Sequence, residues 1–134
     1  MAITQAMCSS FKSEILTATH NFATGGNAFK LALYAEGSGG KSSTTATLGA
    51  ATTVYVTTGE VASSGTYVTG GLALTKVGAS TSGTTGITDF ADISFTTATI
   101  TAMGALIYND TNGNKAVAVL DFGSNKTSTS GTFT

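Results

Sequence analysis

The apolar positions of this chain change their period near residue 25. Before that point Ile3, Met7, Phe11 and Ile15 recur at every fourth position, which lines one face of a helix and predicts a helix over residues 3–17. Lys12 and Glu14 fall off the stripe. No capping box marks the start, and a helix this short is marginal alone in water, so it must pack on the core or on a partner. Ile3, Met7, Phe11 and Ile15 are therefore the candidate interface residues. Beyond Gly25-Gly26-Asn27 the period becomes two. Phe29, Leu31 and Leu33 alternate with Lys30, Ala32 and Tyr34, as in a strand with one face on a core. Residues 36–45 are rich in Gly and Ser and predict a flexible surface loop. Val54 and Val56 share one face of a second strand, with Thr53, Tyr55 and Thr57 on the other. Strand-like residues 67–68 and 72–77 flank Gly70-Gly71, which predicts a bulge or tight bend.

The second half is more regular. Ile87, Ala91, Ile93 and Phe95 keep one parity, while Ile100, Ala102, Leu106 and Tyr108 keep the opposite one, with a bulge expected at Gly104. Residues 109–114 contain Asn112-Gly113, whose ready adoption of positive φ predicts a tight hairpin. After it, Val117 and Val119 oppose Ala118, Leu120 and Phe122, which predicts a central strand buried on both faces. About seven short strands separated by Gly, Ser and Asn turns predict a mainly β fold, an antiparallel β-sandwich or jelly roll with a short N-terminal helix. One domain is expected over residues 1–134, with a helical segment at 1–22 and the sandwich at 23–134. There is no Pro, so edge strands must be protected by bulges, Lys or partner chains.

Composition restricts the chemistry. Of 134 residues, 27 are Thr, 14 Ser and 17 Gly, against six Lys, seven acidic residues, one His, one Cys and no Arg. A net charge of −1 gives no field for gathering phosphates, and without Arg the commonest reader of guanine is missing, so no nucleic-acid partner is expected. One His and one Cys cannot build a zinc centre, and no metal or other cofactor is expected. Cys8 reads as a small packed hydrophobe. No run reaches the length of a membrane span and the first residues lack a secretory pattern, so the expectation is a chain made in a cytoplasm with no membrane partner.

Titratable groups are too few and too scattered to assign a reaction, and no enzyme is expected. His20 reads as a residue of the helix-to-strand junction. Asp89 and Asp92 would face opposite sides of a strand and suit turn or strand-end roles. Asp110, Asn112 and Asn114 alternate as calcium ligands do, but the glycine is misplaced and the closing Glu missing, and the hairpin accounts for all three. Thr97, Thr99 and Thr101 would project from one strand face as a hydroxyl ladder, without the constant repeat an ice-ordering surface needs.

Several segments carry a resemblance: Met1-AITQAMCSSFKSE, His20-Asn21-Phe22, Phe29-KLALY, Thr88-DFADISFTTATITA, Gly104-ALIYN, Lys115-AVAVLDFG and Lys126-TSTSGTFT. Together they span nearly the whole chain, which resembles a family of small virion structural proteins of tailed bacteriophages, the aquatic phage type. Residues 37–43 look like an insertion relative to that family, whose members continue by a further strand. The resemblance implies a virion structural protein made in the host cytoplasm. The reading placed first is a capsid decoration or cement protein that bridges subunits of the major capsid protein. It would be a homo-oligomer, a trimer being favoured, because repetition multiplies weak contacts. The alternative is a tail or fibre component, among tail proteins, that binds a host surface ligand through Tyr55, Tyr67 and the hairpin at 109–114.

Overall fold

The computed structural model describes residues 3–35 and 46–134; the loop expected over residues 36–45 lies outside them. The chain is mainly β, with antiparallel strand pairing and one short helix near the N-terminus. Among the described residues the strands are β1 (Ala6–Met7), β2 (Phe29–Tyr34), β3 (Leu72–Ala73), β4 (Ser80–Ser82), β5 (Thr85–Ile87), β6 (Phe95–Asn109) and β7 (Lys115–Phe133). Helix α1 (Ser9–Leu16) follows β1. Five strands form one sheet in the order β1-β7-β6-β2-β3, and β4 and β5 form a separate hairpin. The strands at 29–34, 95–109 and 115–133 fall where the apolar periods put them, whereas residues 53–57 and 67–68 form only isolated bridges. β6 and β7 hold 15 and 19 residues and dominate the sheet. They are joined at the Asn-Gly turn, where Gly113 and Asn114 take φ of 66° and 56°.

Four register shifts interrupt the β6–β7 ladder. The widest lies between Ala102↔Lys126 and Gly104↔Asp121, beside the glycine where a bulge was expected. Side-chain parity flips there. Ile100 and Ala102 share a core with Ala105, whereas Leu106 and Tyr108 belong to the other core. The irregularity is what lets one strand serve two apolar clusters. Helix α1 packs against β7, and β4–β5 stand apart as a separate exposed hairpin, so only one layer is a large regular sheet. Gly70 and Gly71 turn at φ 96° and 78°, and a Cβ on Gly71 would stand 1.9 Å from the Leu31 carbonyl oxygen. Only glycine brings β3 that close to β2.

Three sequence expectations are corrected. The helix expected over 3–17, and with it the helical segment 1–22, shrinks to Ser9–Leu16. Ile3 bridges Leu48, Ala6 and Met7 pair with Val119 and Ala118, and the Cys8 N–H donates to the Val117 carbonyl at 3.0 Å. β7 offers backbone acceptors along this edge, while an earlier helix start would have left its first N–H groups uncapped. The strand expected around Val54 and Val56 is a single bridge from Val54 to Lys115, and of residues 72–77 only β3 is regular. β7 is second from the sheet edge rather than central, and its two faces differ: Val117 and Val119 are buried, Ala118, Leu120 and Phe122 only half-buried.

Candidate functional site

Polar chemistry gathers first where α1 meets the β6–β7 turn. α1 ends in a Schellman motif: Ala18 and Thr19 donate their N–H groups to the Ile15 and Glu14 carbonyls, with Ala18 at φ 59°. That reversal brings His20 back over the helix, buried against Phe11 with ring centroids 4.9 Å apart. Asn109 is fully buried and its Oδ1 accepts the N–H groups of Thr111 and Asn112, both at 3.1 Å. Its Nδ2 must then face His20 Nδ1, 3.1 Å away, and Asn27 Oδ1, 3.0 Å away. His20 Nδ1 therefore accepts, and Nε2–H donates to Glu14 Oε2 at 2.7 Å. Glu14 Oε1 meets Lys115 Nζ at 3.2 Å. Burial pushes the Glu14 carboxyl upward, but the hydrogen bonds from His20 and Lys115, together with the Lys115 charge, outweigh it and hold the group below its usual value. His20 is thus a fastened junction residue, as its position after the helix implied.

A second polar cluster has no signal in the sequence. Glu60 is buried, and its carboxylate accepts from Tyr55 OH at 2.5 Å, Tyr67 OH at 2.8 Å and the Gly70 N–H at 2.6 Å. Tyr67 OH in turn accepts the Leu33 N–H at 2.9 Å. Tyr34 and Tyr108 donate to the Val56 and Gly70 carbonyls at 2.6 and 2.5 Å, and Tyr108 stacks on Tyr55 at 4.7 Å. All four tyrosines of the chain thus fasten the segment 55–71 to the sheet. Burial foremost, with Glu60 adding to it, raises the pKa of Tyr34, Tyr55 and Tyr67 and keeps their hydroxyls protonated; Tyr108 is pushed up to about 12 by burial, then by Asp110 and Glu60. Glu60 escapes sequence reading because its partners stand five, seven and ten residues away in irregular chain. A lone carboxylate between Gly59 and Val61-Ala62 was the only available hint.

The four candidate interface residues do not share a helix face. Ile3 is fully buried against Leu48, and Phe11 is buried under α1. Met7, on β1, and Ile15, on α1, are exposed at 54% and 43%, and Leu16, off the expected stripe, at 86%. Met7 ends an apolar row that the register carries across the sheet through Leu72, Leu31, Ile107 and Ala118. Beyond it a groove runs between α1 and the β4–β5 hairpin, with Met7, Phe11, Ile15 and Phe22 on one wall and Gly86 and Ile87 on the other. The six strand residues of that hairpin are all exposed. What this arrangement can do chemically is bury aliphatic side chains of another molecule.

The remaining marked residues have internal roles. Tyr67 is buried and the Tyr55 hydroxyl is engaged by Glu60. Asp110 pairs with Lys30 at 3.2 Å, and Asn112 reaches Thr19 and Asn27. The Asp89 carboxylate accepts the Phe90 N–H at 2.8 Å in the arm that leads back from β5. Thr97 sits at φ 51° between register shifts, and the Thr99 hydroxyl accepts the Ser130 N–H, so the hydroxyl ladder is broken at its first rung. Cys8 is buried, its thiol raised by burial and by Glu14. Among the described residues no group of three or more His, Cys, Asp or Glu is placed to hold a metal ion, and no helix is long and apolar enough to cross a membrane. Comparison with known proteins finds no matching family model, curated protein or solved structure.

Proposed function

We propose that this chain is a structural protein of a phage particle, a capsid decoration or cement protein that adds buried interface between capsid subunits. The observation that carries the reading is the exposed apolar surface formed by Met7 and Ile15 with Ile87 across the groove. Solvent exposure of three large apolar side chains, Met7, Ile15 and Ile87, around one concavity marks an interaction surface rather than scattered surface residues. The resemblance of nearly the whole sequence to small virion proteins names the partner class, the major capsid protein. A near-neutral chain with few charges suits a surface that meets neighbours, because little polar desolvation opposes contact. Modest affinity per copy suffices when copies repeat over a lattice.

The reading is tested by stripping particles of the protein and adding it back. Stripped particles are expected to lose their genome at lower temperature and under milder osmotic shock, and added protein is expected to restore them. Ile87→Glu should keep the stability of the isolated chain within about 0.5 kcal/mol, as surface changes usually do, yet fail to restore. Equal resistance of stripped and complete particles would reject the cement role. A copy number of three or six per particle, rather than hundreds, would move the protein to the tail.

A further inference from the structure

The hairpin turn contains the sequence's single Asn-Gly pair, Asn112-Gly113. A glycine nitrogen, unshielded by a side chain, can attack the side-chain amide carbon of the asparagine before it. In this turn the two reactants are held differently. Gly113 is exposed, and its N–H meets no acceptor among the described residues. The Asn112 side chain is clamped: Nδ2 donates to the Thr19 carbonyl and to Asn27 Oδ1, the latter at 3.3 Å, and the residue's own N–H donates to Asn109 Oδ1 at 3.1 Å. A free nucleophile thus sits beside a restrained electrophile, and the restraint is the junction between α1's C-terminal connection and the β6–β7 turn.

We propose that Asn112 is a self-modification site, a deamidation site held in check by its clamp on Thr19 and Asn27. In the reaction the Gly113 nitrogen gives its proton to solvent base and bonds to Cγ of Asn112; Nδ2 takes a proton back from the conjugate acid, the Cγ–Nδ2 bond breaks, ammonia leaves, and a cyclic imide forms. Water opens that ring at either carbonyl, leaving aspartate or its isopeptide isomer. Base and water are the only co-reactants. The surroundings decide the consequence. A carboxylate at 112 has no N–H to give, and it faces the Thr19 carbonyl and Asn27 Oδ1, which are acceptors. A hydrogen-bonded contact becomes a repulsion between oxygens, and the isopeptide form also lengthens the backbone where Gly113 and Asn114 need their left-handed turn. One chemical event therefore unfastens the junction that also holds Asn109 and His20. This inference is independent of the virion reading.

The purified full chain is incubated in mildly alkaline buffer, folded and in urea, and peptide mapping follows the one-dalton gain. Asn112 is expected to convert before any other asparagine. Conversion in the folded chain should be about tenfold slower than in urea, the rate equivalent of one engaged hydrogen bond. Asn27→Ala, folded by circular dichroism, should convert faster than wild type, and Asn112→Asp should melt at a lower temperature. The comparison of folded and unfolded wild type needs no variant to fold. Earlier conversion at another asparagine, equal rates in the two states, or an unchanged rate in folded Asn27→Ala would overturn the proposal.

Discussion

At the scale of single residues, stability rests on a few positions that the chain fills against local preference. Ala18 takes φ 59° at the position after the cap of α1, where glycine or asparagine is usual. Its Cβ opposes the left-handed conformation, so Ala18→Gly should stabilise the chain by about 0.5–1 kcal/mol despite the added freedom of the unfolded state. Urea denaturation measures it; a loss of stability would mean that the Ala18 methyl packs more than the turn strains. Glu60 illustrates the opposite economy. A buried carboxylate without a cation among its contacts in the described residues is tolerable because three donors converge on it, and removing any one would leave an acceptor short of its partner.

At the scale of elements, α1 is held by its ends rather than by a long apolar stripe. Phe11 is its only buried residue, and the last turn is tied through Glu14 to His20 and Lys115. Because the folded carboxyl lies below its ordinary value of 4.5, its contribution is fully present above that pH and fades as pH falls through the folded value. Glu14→Gln should therefore cost about 1–2 kcal/mol at neutral pH and converge on wild type in acid, where both carry a neutral side chain. Denaturant midpoints compared at neutral pH and below pH 4 distinguish this from a packing loss, which would persist unchanged. The long β6–β7 ribbon shows why the missing proline matters little: its four register shifts and Lys126 break up the outer edge of β7 that β1 leaves uncovered.

At the scale of the whole molecule, the four tyrosines join the irregular segment 55–71 to the sheet, so their ionisation and global folding are linked. Their folded values are all raised, mainly by burial, which means that the stability they confer is complete below an ordinary value of 10 and is lost as pH rises through the folded values. Tyrosinate absorbance should stay low near pH 10 and then rise together with the loss of the β signal in circular dichroism, close to the Tyr108 value of about 12. A tyrosine titrating near pH 10 in a folded chain would contradict the cluster. The same scale governs the groove beside α1, since Met7, Ile15 and Ile87 come from three different elements.

The mainly β class, the Asn-Gly hairpin, the sharp bend at Gly70-Gly71 and the bulge near Gly104 were legible along the chain before any fold was known. These depend on backbone rules that act over a few residues: period two in strands, positive φ at glycine, and parity that cannot change without an irregularity. The tertiary structure alone decided what residues 3–8 become. Their four-residue spacing satisfies a helix, yet Leu48 and, over a hundred residues away, β7 supply backbone partners: the bridge to Leu48 fixes Ile3 in the core, and pairing with β7 leaves Met7 exposed. It also decided the Glu60 cluster and the groove beside α1, because both are assembled from segments whose proximity is set by packing and whose local sequence is equally compatible with plain loop. A chain in which Thr, Ser and Gly are so frequent carries little local information outside its turns, and there long-range contacts choose among conformations that propensity leaves nearly equal in energy.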